Sequence, residues 1–152
     1  YIASKNKYKK TKMSNKEKLA EISERRNQLE HKLRKLILKS MAKDLGTGEA
    51  RSALLSFLDD DRKKKAAGLS YKELFDSNVA HWYFEDLRKI INKHWPMFVN
   101  IFNGNQKKFN DDMENINRMR YDAHAKFSIP EHEFLLFRSS ITNIENLIEI
   151  YV

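Results

Sequence analysis

No glycine or proline interrupts the chain before Gly46. That constrains the fold more than any other feature, because these two residues are the ones that break helices. Ser14-Asn15-Lys16-Glu17 opens the first stretch with a capping-box pattern, in which the Ser and Glu side chains take up backbone N–H groups that a helix start leaves free. Leu19, Ile22, Leu29, Leu33, Leu36, Ile37 and Met41 then follow at helical spacing, with His31 and Arg34 on the polar side. Gly46 and Gly48 are expected to end this helix, which is long enough to be the spine of a bundle. The 152 residues hold only 4 glycines and 2 prolines, too few for a turn-rich β sandwich.

The rest of the chain reads the same way. A helix over about 49–58 turns Ala50, Ala53, Leu54, Phe57 and Leu58 inward. Asp59-Asp60-Asp61 could suggest a metal site, but consecutive carboxylates point in different directions on any regular backbone, so a solvated helix end or loop is the better reading. Ser70-Tyr71-Lys72-Glu73 is a second capping box, opening a short helix to Phe75. The stretch from His81-Trp82-Tyr83-Phe84 to Ile91 continues after a break at Pro96 with Met97, Phe98, Val99 and Phe102. Its aromatics could be stacking platforms for bases. Because they sit among Leu and Ile at helical spacing, core packing is preferred.

Asn110 or Asp111 is expected to cap the next helix, which buries Met113, Ile116 and Met119 and ends near Asp122 or Ala123. Ser128-Ile129-Pro130-Glu131 caps the last, whose apolar stripe is Phe134, Leu135, Phe137, Ile141, Ile144, Leu147, Ile148 and Tyr151. The expectation is an all-α bundle of five or six helices over 14–152, preceded by a basic tail or linker over 1–13.

Composition narrows the chemistry. Hydrophobic residues at 41% with 33% charged residues describe a folding chain rather than a disordered one. The absence of cysteine removes disulfides, thiolate zinc sites and a Cys nucleophile. No apolar run reaches the roughly 18 residues of a membrane span and no signal-peptide pattern opens the chain, so no membrane partner and a cytoplasmic location are expected. The first residue is Tyr1, which suggests a fragment of a longer protein with an upstream domain. Residues 1–18 hold seven lysines against one acid, Glu17, so +6 of the net +8 lies there. Such an arm is a solvated linker, or it holds phosphates without reading sequence, with Lys9, Lys10 and Lys12 as the contacts.

Nucleophile elbows, phosphate loops, dinucleotide glycine patterns and His-Glu-x-x-His motifs do not occur. No two of His81, His94, His124 and His132 are spaced as a helical ligand pair, so no metal is assigned. What stands out is Asn117-Arg118-Met119-Arg120-Tyr121-Asp122-Ala123-His124. On a continuous helix Asn117, Arg120 and His124 share a face. An imidazole near neutral pKa moves protons, and a guanidinium stabilises charge growing on phosphate oxygens. Cleavage of RNA by its own 2′-hydroxyl needs such groups and no metal or cofactor. The plain alternative has Arg120 paired with Asp122 or Glu114 and His124 closing a helix end.

Asn-x-x-Arg-x-Asp-Ala-His near a helix end, ahead of a capped final helix, resembles the HEPN superfamily. So do the long first helix rich in Glu, Leu and Arg and the Trp-Tyr-Phe-x-Asp-Leu-x-x-Ile-Ile segment before a Trp. The resemblance covers roughly residues 15–150. It implies a homodimeric, metal-independent endoribonuclease of the kind found in toxin–antitoxin and antiviral defence systems, with two Arg/His motifs meeting at the interface. Products would carry a cyclic phosphate and a 5′-hydroxyl. Arg120 and His124 would be catalytic, supported by Asn117, Arg118 and Asp122. The family spaces its Arg and His by four to six residues, whereas Arg120 and His124 are separated by three and Arg118 and His124 by five. The choice between the arginines stays open, with Arg120 favoured by its offset from Asn117. The alternatives are a non-catalytic HEPN-like module for dimerisation or RNA/nucleotide binding, and an unrelated helical interaction domain.

Overall fold

The capping box at Ser14 forms as expected. Glu17 N–H donates to Ser14 Oγ at 3.1 Å and Ser14 N–H to Glu17 Oε1 at 3.4 Å, starting α1 at Asn15–Leu45. The computed structural model describes residues 13–76, 78–119 and 128–152. Six more α-helices follow α1: α2 Thr47–Leu55, α3 Asp60–Ala66, α4 Phe84–Lys93, α5 Trp95–Phe98, α6 Gln106–Arg118 and α7 Glu131–Ile148. Single 3₁₀ turns occupy Tyr71–Glu73 and Glu149–Tyr151, and no strand occurs among the described residues. The protein is an all-α bundle, and the short α3 and α5 take the helix number past five or six. No helix among the described residues is long and apolar enough to cross a membrane.

α1 is the spine, packed on α2, α4, α5 and α7, while α6 packs on both α4 and α7. Its expected stripe from Ile22 to Met41 is buried and Leu19 is partly so. Gly46 ends α1 at φ 78°, ψ 157°, a left-handed backbone that a side chain disfavours. Gly48 does not end it; it lies in the first turn of α2. Several boundaries move from their expected places. Asp59 caps α3, accepting from Arg62 N–H at 2.9 Å, where a loop or helix end was expected. Ser70 makes no backbone cap; its hydroxyl bonds Glu73 Oε1 at 2.6 Å over one 3₁₀ turn. Residues 81–83 lie outside any helix, with Tyr83 extended, and α4 begins only at Phe84.

α6 is capped by Asn105, five residues before the expected Asn110. Positive φ at Asn103 (54°) and Gly104 (70°) reverses the chain early, and Asn110 is occupied by Arg88 (3.0 Å) and Asn92 (2.7 Å). α7 starts from Pro130 with no side-chain cap. Its core positions are Phe134, Phe137, Ile141, Ile144 and Ile148, spaced by threes and fours, which leaves Leu135 half exposed rather than inward.

Paired charges lock α7 onto α1. Arg138 donates to both oxygens of Glu21 at 2.7 Å, and Arg25 pairs with Glu145 beside it. The hydrogen bonds from Arg138, with the Arg25 charge adding to them, hold the Glu21 carboxyl below its ordinary pKa. A depressed carboxylate stabilises the fold above its unfolded pKa of about 4.3, and that stability disappears as pH falls through the lower folded value. Arg138→Met is therefore expected to lower the urea midpoint at neutral pH and to match the wild type near pH 2, which paired denaturation curves at the two pH values would check.

Candidate functional site

Asn117 lies in the last turn of α6, and its side chain faces α1, where Arg26 Nη2 donates to Asn117 Oδ1 at 3.3 Å. Arg26 is half buried, also lies near Glu30 (3.9 Å), and sits over the Phe84 ring with 5.0 Å to the centroid. These groups border a cleft of about 600 Å³ whose other walls include His81, Tyr83, Glu85 and Lys89. Asn117 is thus the one residue of the expected motif that the described structure places in a cleft.

The 81–84 segment forms one wall because its side chains alternate. Trp82 and Phe84 point into the core while His81 and Tyr83 face out. Trp82 Nε1–H donates to Leu74 O at 2.7 Å, and its ring meets Phe75 edge-on at 4.7 Å. Arg34 was expected on the polar side; it is instead half buried and donates from Nη2 to Trp82 O at 3.1 Å. Asp86 is buried, accepts Tyr83 N–H at 2.8 Å and pairs with Arg62 at 2.7 Å. The core reading of the aromatic stretch holds for Trp82 and Phe84 but not for Tyr83, which is half exposed.

Arg118 takes a different direction. It is exposed and pairs within α6 to Glu114 at 3.4 Å. α6 ends at Arg118, and Met119 leaves helical conformation at φ −89°, ψ 59°. One continuous helix from Asn117 through Arg120 to His124, which the shared face requires, is therefore interrupted at Met119. Met119 is buried as expected, but from outside the helix. Arg120, Asp122 and His124 lie outside the described residues, as do Lys9, Lys10 and Lys12.

On the far side of the motif the chain is fixed again to α1. Ile129 N–H donates to Asn15 Oδ1 at 2.8 Å, and Lys18 Nζ donates to Ile129 O at 3.1 Å while pairing with Glu131 at 2.7 Å. The first and last residues that flank the motif thus report to one rigid helix, through Arg26 and through Asn15 with Lys18. Lys18 is 7% exposed, and Ile129 is 3% exposed. Lys18→Met keeps the stem but leaves a buried carbonyl without its donor, so a loss of about 1–3 kcal/mol is expected by urea denaturation. Glu131, being half exposed, loses little.

His94 packs on Phe57, and burial, followed by the nearby Lys93 charge, pushes its imidazole below its ordinary pKa. It belongs to the α4–α5 junction and does not line the cleft. Among the described residues no group of three or more His, Asp or Glu side chains is gathered that could hold a metal. Sequence reasoning missed Arg26 and Lys89. For Arg26 a signal existed: the apolar series jumps from Ile22 to Leu29, and a charged residue holds the intervening inward turn.

Compared with known proteins, the chain matches no family model, no curated protein and no solved structure.

Proposed function

We propose that this chain is a HEPN-like, metal-independent endoribonuclease domain, working as a cytoplasmic homodimer within a larger defence or RNA-processing protein. The observation that carries this reading is Asn117: the first residue of the Asn-x-x-Arg-x-Asp-Ala-His motif stands in the wall of a polar cleft, tied to Arg26. Two further features support it. The motif is pinned on both sides to α1. Leu135 and Leu136, 50% and 45% exposed in the first turns of α7, which follows the motif in sequence, offer apolar surface for a second copy.

The chemistry is an in-line displacement. The RNA 2′-oxygen bonds to the adjacent phosphorus as the P–O5′ bond breaks. His124 takes the 2′-hydroxyl proton, and an imidazolium, that of His124 or its copy across the dimer, gives one to the departing 5′-oxygen. Arg120 offsets the charge that builds on the non-bridging oxygens. Asp122 orients the imidazole, and Arg118 and Asn117 support the motif. The products are a 2′,3′-cyclic phosphate and a 5′-hydroxyl.

The test is cleavage of several RNAs in EDTA, with product ends identified. Metal-independent cleavage giving these ends supports the reading. No cleavage of any of them assigns the chain to the alternative, a non-catalytic module for dimerisation or RNA/nucleotide binding.

A further inference from the structure

We propose that the cleft beside Asn117 is a subsite for one nucleotide of single-stranded RNA, with its base on the Tyr83 ring and its phosphate near Arg26 and Lys89. This rests on the reading of the chain as an RNA-directed domain and names where the strand lies.

Tyr83 is the first argument. A large ring is 50% exposed between two neighbours that are 1% and 3% exposed, Trp82 and Phe84. It has contacts on several sides despite that exposure. Its backbone N–H is bonded to buried Asp86, the Arg62 guanidinium lies 5.1 Å from its centroid, and His81 meets its ring edge-on at 4.5 Å. A braced, outward-facing aromatic with a cation on it suits stacking of a base, which every nucleotide offers regardless of sequence.

Charge is the second argument. The cleft is lined by three acids, Glu30, Asp86 and Glu85, beside Arg26 and Lys89, and each acid is met by an arginine from outside the lining. Glu30, which also lies 3.9 Å from Arg26, is met by Arg34 at 3.6 Å, Asp86 by Arg62 at 2.7 Å, an arginine shared with Asp59, and Glu85 by Arg88 at 3.7 Å. Lys89 is exposed and enters no ion pair among the described residues. Lys89 is thus the cation at the mouth that no described carboxylate takes up, which suits a phosphate. The third argument is continuity. Tyr83 and His81 also border a second cleft of about 460 Å³, where Lys65 and Arg62 stand beside their partners Asp61 and Asp59. The two rings thus form a ridge between two hollows, the shape over which an extended strand would pass.

The probe is a fluorescent single-stranded RNA with every 2′-hydroxyl methylated, which cannot be cleaved, so binding is read separately from catalysis. Tyr83→Ala is expected to weaken binding about 10-fold or more while Tyr83→Phe retains it. Lys89→Glu is expected to weaken it and to reduce the salt slope by about 0.7 or more. Lys39→Glu, an equal charge reversal at an exposed position of α1 outside this cleft, should leave binding unchanged. Equal binding by Tyr83→Ala and wild type, or an equal loss in Lys39→Glu, overturns the subsite. A wild type that cleaves RNA yet does not bind the methylated strand also overturns the subsite while leaving the nuclease. A wild type that binds through Tyr83 but never cleaves overturns the nuclease while supporting the subsite.

Discussion

His124→Ala is expected to lower RNA cleavage in EDTA by about 10²–10⁴-fold, the range in which a positioned proton-transfer group acts. Circular dichroism of the variant should overlay that of the wild type. Arg120→Ala should fall comparably, through lost stabilisation of phosphate charge. Arg118→Ala separates the two arginines. Arg118 is exposed and pairs with Glu114 within α6, a supporting place, so its removal should lower cleavage far less than the loss of Arg120. Equal activity of His124→Ala and wild type would remove the imidazole from the mechanism, and a collapse in Arg118→Ala alone would make that residue the motif arginine.

Trp82→Ala carries the largest expected cost in stability, about 3–5 kcal/mol in a chemical denaturation curve. Its ring is 1% exposed, meets Phe75 edge-on and donates to Leu74 O, so truncation opens a cavity and strips a buried carbonyl of its donor. Single domains of this size are stable by only about 5–15 kcal/mol, so the loss is a large share. Trp82→Phe refills most of the space and forfeits the N–H, for an expected cost of about 1 kcal/mol from the hydrogen bond. Because the buried Trp82 ring lies between His81 and Tyr83 in sequence and anchors them against the core, the alanine variant should also loosen the cleft wall. A near-wild-type midpoint for Trp82→Ala would mean that the ring is not the keystone of this wall.

Helix identity was legible in the sequence, and helix ends were less so. The α1 stripe and the Ser14 cap rest on local rules, periodicity and reciprocal side chain–backbone bonding, and both appear as expected. The start of α6 depended on tertiary demand. Asn105 and Asn110 have the same capping chemistry, and only packing shows that Asn110 is taken by Arg88 and Asn92 of α4. Leu135 read as part of a stripe, but α7 buries positions three and four apart and leaves it a quarter turn outside. The cleft was hidden for a related reason. Arg26 and Asn117 meet across 91 positions of sequence, and no short-range pattern connects them. The motif itself was legible as residue types in order. Its expected helical face was not, because α6 ends at Arg118, inside the motif.

Lys18, Arg26 and Arg34 on α1 have one more consequence. A helix with an apolar stripe repeating every three or four residues looks nearly the same after sliding by one turn, about 5.4 Å. The hydrophobic effect, being non-directional, distinguishes such registers poorly. The inward cations do distinguish them. Lys18 reaches the Ile129 carbonyl, Arg26 the Asn117 amide and Arg34 the Trp82 carbonyl, three partners at three depths of the bundle. In a slid register each cation would face apolar side chains and each acceptor would lose its donor, at about 1–3 kcal/mol apiece. The spine thus carries its own vernier: greasy positions supply the adhesion, and a few charged ones fix which notch it stops in.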